Sequence, residues 1–87
     1  MKVKVKFGSL QLCKALENLG FSPEKQHGTS HQKWHFPLDK KTPEGLRPFI
    51  EVVHGRRQYF PPTVSGYIRQ LRTLGFTDKE IIEAFGK

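Results

Sequence analysis

The segments LENLGFS (16–22) and LRTLGFT (71–77) nearly repeat each other near opposite ends of an 87-residue chain. In both, a leucine-bearing helical pattern stops at Leu-Gly-Phe. A glycine placed just past the last turn takes the left-handed backbone that closes a helix, and an apolar residue after it folds back onto that turn. The repeat is therefore one helix-ending device used twice. It is not an array, which needs at least three copies at a short fixed period. Two helices thus frame the middle of the chain, where the helical period is lost.

The first helix is expected to start at Gly8-Ser9 with Ser9 as its cap, and to bury Leu12, Ala15, Leu16 and Leu19, with Leu10 and Cys13 beside that stripe. The second opens at Pro61-Pro62-Thr63, with Thr63 as cap, and buries Val64, Tyr67, Ile68, Leu71 and Leu74. Thr77-Asp78-Lys79-Glu80 reads as a capping box before a short third helix carrying Ile81, Ile82 and Phe85.

Between the helices, Pro23 argues against continued helix, and Gly28-Thr29-Ser30 reads as a turn between two extended segments. From His31 to Phe36 the residues separate by parity. His31, Lys33 and His35 take one face, and Gln32, Trp34 and Phe36 take the other, with Trp34 and Phe36 inward. A polar loop at 37–47 leads to a third strand, 49–54, with Ile50 and Val52 buried. The predicted fold is α+β in the order α-β-β-β-α: a three-stranded antiparallel sheet packed on two helices, plus a short C-terminal helix. One domain fills residues 1–87, with its core at about 9–76 and a helical extension at 77–87. Residues 2–7 alternate lysine and apolar residues, and read either as a short strand or as an extended basic lead-in.

The chain carries 15 Lys and Arg against eight Asp and Glu, a formal charge of +7. A small domain this basic suits a polyanion, with nucleic acid first and an acidic protein second. Seven Phe, two Tyr and one Trp supply enough apolar surface for a core. The single cysteine, Cys13, forms no internal disulfide and reads as a packed thiol. With no targeting or membrane-spanning pattern, a cytoplasmic protein is expected.

Four histidines carry the remaining chemistry. His27, His31 and His35 are spaced by four, which on a helix suggests a metal site, but the alternation here is that of a strand. No metal and no cofactor is called for. On residues alone, two readings of His31 stand open. It is a solvated surface histidine, or it moves a proton in RNA cleavage, where the 2′-OH supplies the nucleophile and imidazole titrates near neutrality. His54, ahead of Arg56 and Arg57, is either a second acid/base or phosphate group or part of a solvated turn. His35 extends the surface of His31, and Lys33, Arg56 and Arg57 are the candidate phosphate contacts.

The run GTSHQKW (28–34), with LCKALENLGF (12–21), FIEVVHG (49–55) and TVSGYIRQLRTLGF (63–76), resembles the HicA, or YcfA-like, family of mRNA-interferase toxins. The resemblance spans about residues 9–82. It implies a double-stranded-RNA-binding type of fold and metal-independent endonucleolytic cleavage of mRNA. His31 is then the catalytic histidine, and Gly28, Thr29 and Ser30 form the loop that presents it. It also implies a HicB-like antitoxin as protein partner. The loop at 38–47 is longer than in compact members, and Ser30 stands where many members carry another histidine. Two further readings remain: an RNA-binding module of the same fold that does not cut, and an interaction domain for an acidic protein.

Overall fold

The computed structural model of the chain describes residues 6–25, 30–41, 44–45 and 47–86. The elements run α1 (Ser9–Asn18), β1 (Ser22–Pro23), β2 (His31–His35), β3 (Phe49–Val53), α2 (Pro61–Thr73) and α3 (Asp78–Gly86). The strands form one antiparallel sheet in the order β1-β2-β3. This is the α+β class and the α-β-β-β-α order expected from the sequence.

The twin helix ends close as their sequences predict. Gly20 and Gly75 take positive φ, 93° and 106°. The Phe21 amide donates to the Leu16 carbonyl at 2.9 Å, and the Phe76 amide to the Leu71 carbonyl at 3.1 Å. These bonds satisfy carbonyls that a helix end otherwise leaves open. The two phenylalanines then meet each other, with ring centroids 5.8 Å apart. Phe36 at the end of β2 touches both, at 5.6 and 5.9 Å. One device used twice thereby ties α1, α2 and the sheet into a single aromatic contact.

The helix starts differ from expectation. Ser9 is the first residue of α1, and Gly8 is its cap. A Cβ on Gly8 would lie 2.0 Å from the Arg57 carbonyl oxygen, so only glycine admits that close approach. The Ser9 amide and hydroxyl both donate to the Arg56 carbonyl, at 2.9 and 3.1 Å. The serine pins a distant turn, while Gln11 Oε1 accepts from the Gly8 amide at 2.9 Å at the start of the helix. Helix α2 begins at Pro61, two residues before Thr63, with Phe60 at the cap position. Proline at the first helical position needs no amide partner and already has helical φ. The capping box of α3 forms as expected: the Glu80 amide donates to Thr77 Oγ1 at 3.1 Å, and the Thr77 amide to Glu80 Oε1 at 2.9 Å. Those contacts, the backbone one first, hold the Glu80 carboxyl below its ordinary value.

The core lies between the inner face of the sheet and the helices. Leu12, Leu16, Trp34, Ile50, Val52, Ile68 and Leu71 belong to one cluster. The core also extends past the expected boundaries. Phe7 and Ile81 are as buried as the helix leucines. Phe85 stacks on Phe7 at 4.4 Å, and Asn18 Nδ2 donates to the Ala84 carbonyl. Helix α3 is thus part of the core. Cys13 packs partly buried against the same cluster, and burial pushes its thiol pKa up.

Candidate active site

Alternation along β2 puts His31, Lys33 and His35 on the face turned away from the core. The β2–β3 register pairs His31 with Val53, Lys33 with Glu51 and His35 with Phe49. Lys33 therefore has Glu51 directly across on β3. On its other side is Glu24, whose amide donates to the Lys33 carbonyl. Each carboxylate reaches diagonally to a histidine. His31 Nδ1 lies 2.5 Å from Glu51 Oε1, and His35 Nε2 lies 2.7 Å from Glu24 Oε2. The open face thus carries two histidine–carboxylate pairs with a lysine between them.

Both pairs are solvent-exposed; the His31 and Glu51 side chains keep 53% and 46% of their accessible surface. An exposed ion pair contributes only about 0–1 kcal/mol to stability. The consequence of the His31–Glu51 contact is orientation. An ionised carboxylate only accepts, so Nδ1 carries the proton, and in a neutral ring the basic lone pair is then at Nε2.

Glu51 is itself held from behind. Strand β3 lies at the sheet edge, and its outward backbone groups meet two tyrosines. Tyr67 Oη donates to the Glu51 carbonyl at 2.8 Å and accepts from the Val53 amide at 3.3 Å. Tyr59 Oη donates to the Val53 carbonyl at 2.6 Å. Three outward backbone groups at Glu51 and Val53 are thereby engaged, which restrains the part of the strand that bears Glu51. Burial, foremost, pushes both phenols above their ordinary range.

His54 lies on the other side of the ladder. Its amide donates to the Ser30 carbonyl at 2.6 Å, one rung beyond the His31–Val53 pair. Its Nε2 lies 2.7 Å from Gln32 Oε1, which also accepts from Trp34 Nε1 at 3.1 Å. Gln32 Nε2 donates to the Glu24 carbonyl at 2.6 Å, which orients the amide. The indole can only donate, so the shared atom is the amide oxygen and His54 Nε2 carries a proton. The fold thus brings His31, Lys33 and His35 together and turns His54 to the core-facing side.

Arg56 and Arg57 are exposed in the turn after β3, at the end of the sheet where β2 begins with His31. Ser30 joins this end through its bond to His54. Gly28 and Thr29, expected to support the catalytic loop, lie outside the described residues, as does His27. Among the described residues, no group of three His, Cys, Asp or Glu is placed to hold a metal ion. No helix among them is long and apolar enough to cross a membrane.

Glu51 and Glu24 were not singled out from the sequence, nor was Phe49 as part of the site. Glu51 did carry a signal, a lone charge between Ile50 and Val52, and strand parity turns it outward. Phe49 is half-buried, with Lys33 Nζ 4.9 Å and the Arg47 guanidinium 6.0 Å from its ring centroid. Between this part of β3 and α2 lies a cleft of about 480 Å³ lined by Arg47, Phe49, Glu51, Arg69, Gln70, Thr73 and Leu74.

Compared with family models, with curated proteins and with solved structures, the chain matches none. The likeness to HicA toxins rests on the motifs quoted above.

Proposed function

We propose that this chain is a HicA-like ribonuclease, the toxin of a toxin–antitoxin pair, and that it cleaves mRNA in the cytoplasm without a metal ion. The observation that carries the reading is the contact of His31 Nδ1 with Glu51 Oε1 on the outward sheet face, which favours Nε2 as the nitrogen that takes a proton. The chain's net charge of +7 and the motif around His31 support it.

In the proposed reaction, His31 Nε2 takes the proton from a ribose 2′-OH. The freed oxygen bonds to the adjacent phosphorus. The bond to the 5′-oxygen breaks, and that oxygen leaves with a proton from solvent. The products are a 2′,3′-cyclic phosphate and a 5′-hydroxyl end. Lys33, two residues along the same face, offsets charge gathering on the phosphate, and Arg56 and Arg57 hold the neighbouring backbone. Glu51 keeps the ring in the required tautomer and stabilises the imidazolium that forms, a positioning role. A small HicB-like acidic antitoxin that covers this face is the proposed partner.

The test is cleavage of end-labelled single-stranded RNA in EDTA, with the ends of the fragments analysed. Cyclic phosphate ends from the wild type, and none from His31→Ala, are expected. Intact RNA retained by both proteins would favour a binding module. No RNA affinity at low salt, where phosphate binding is strongest, would favour an interaction domain for an acidic protein.

A further inference from the structure

We infer that the cleft between β3 and α2 holds a single ribonucleotide of the substrate, beside the His31–Glu51 pair. The inference deepens the ribonuclease reading and rests on it for calling that nucleotide a substrate. The affinity of the cleft is tested separately.

Three features define the ligand. The first is charge. Arg47 and Arg69 line the cleft, and among the described residues neither is in a salt bridge. Among the described residues of the lining, Glu51 is the one carboxylate, and it already faces His31. The balance left over is cationic and suits a phosphate. The second is a flat surface. The half-buried Phe49 ring forms part of the wall with the Arg47 guanidinium 6.0 Å from its centroid. Aromatic and guanidinium planes of this kind are what an unstacked base lies against. The third is edge chemistry. The Gln70 carboxamide makes no hydrogen bond among the described residues and offers both donor and acceptor. The Thr73 hydroxyl donates to the Arg69 carbonyl at 2.8 Å and keeps acceptor capacity. An acidic peptide would use the arginines, but it has no need of the ring or the carboxamide. A volume of about 480 Å³ falls in the range of small-ligand sites, about 300–1,000 Å³.

The location carries the functional consequence. Glu51 belongs both to the cleft lining and to the pair with His31. A base seated against Phe49 therefore sets its own sugar and phosphate within one side chain of the reacting imidazole. The cleft then selects which phosphodiester is cut, and Gln70 reads the base.

The experiment is titration of ¹⁵N-labelled protein with each of the four ribonucleoside 3′-monophosphates, with inorganic phosphate, and with a glutamate hexapeptide. At least one nucleotide is expected to shift the Gln70 side-chain amide and the Arg69 Nε–H saturably, with phosphate alone far weaker. Arg69→Ala and Phe49→Leu should each weaken that nucleotide about tenfold. Arg69 lies on an exposed helix face, so its variant keeps the fold. Lys79→Ala, on α3, should change nothing. Equal response to phosphate or to the hexapeptide, no saturable response to any nucleotide, or unchanged affinity in Arg69→Ala would overturn the inference. Cleavage in EDTA with no nucleotide binding here would sink the cleft and leave the nuclease standing. Binding without cleavage would do the reverse.

Discussion

The two faces of β2 use similar side chains for opposite ends. On the outer face, His31 meets the Glu51 carboxylate at 2.5 Å. On the inner side, one rung away, His54 meets the Gln32 amide at 2.7 Å. Both are histidines bonded to a side-chain oxygen. One partner is an acid at an exposed position. The other is a neutral amide that also satisfies a buried indole. The outer arrangement orients a ring and adds little stability. The inner one spares Trp34 an unsatisfied donor in the core and ties His54 to the sheet. Residue type alone does not separate the two histidines; the face does.

The inner face should dominate stability. Trp34→Ala is expected to cost about 3–5 kcal/mol. For 87 residues at about 0.05–0.15 kcal/mol each, that is a large part of a total near 4–13 kcal/mol. Urea unfolding checks it, and a loss below 1 kcal/mol would break the distinction between the faces. Gln32→Leu leaves the indole and His54 without their shared acceptor and should cost about 1–3 kcal/mol in the same assay, with RNA cleavage retained. On the outer face the pattern reverses. Glu51→Gln should slow cleavage by about 10–100-fold while shifting stability by no more than about 1 kcal/mol. Rate and melt measured together decide it, and a large stability loss with unchanged rate would contradict the positioning role.

The smallest effect is with pH. Tyr59 and Tyr67 keep their protons longer in the folded state than in the unfolded state. The unfolded chain then binds fewer protons, so stability falls as pH rises. That stability is fully present below about pH 10, the ordinary phenol value, and is lost above it. Tyr59→Phe should flatten the decline, as read by thermal melts from pH 9 to 11.

Parity made the faces legible in the sequence: Trp34, Phe36, Ile50 and Val52 are buried as predicted, and His31, Lys33 and His35 are exposed. The Leu-Gly-Phe ends were equally legible because the device is local. The helix starts were not. Gly8 caps α1 because a distant carbonyl, that of Arg57, leaves no room for a side chain. The carboxylate partners were hidden for the same kind of reason. Which residue faces Lys33 depends on register, and the length of the 37–47 loop does not set it. Helix α3 read as an extension because its few apolar residues show no partner in sequence; in the fold they meet Phe7 and the core.

The most direct measurement compares His31→Ala with His54→Ala, each followed for RNA cleavage in EDTA and for thermal unfolding. His31→Ala is expected to lose cleavage by at least about 10²-fold and to melt like the wild type. His54→Ala should melt earlier and, at a temperature where it is folded, still cut. Full activity in folded His31→Ala, or none in folded His54→Ala, would contradict the assignment of chemistry to the outer face.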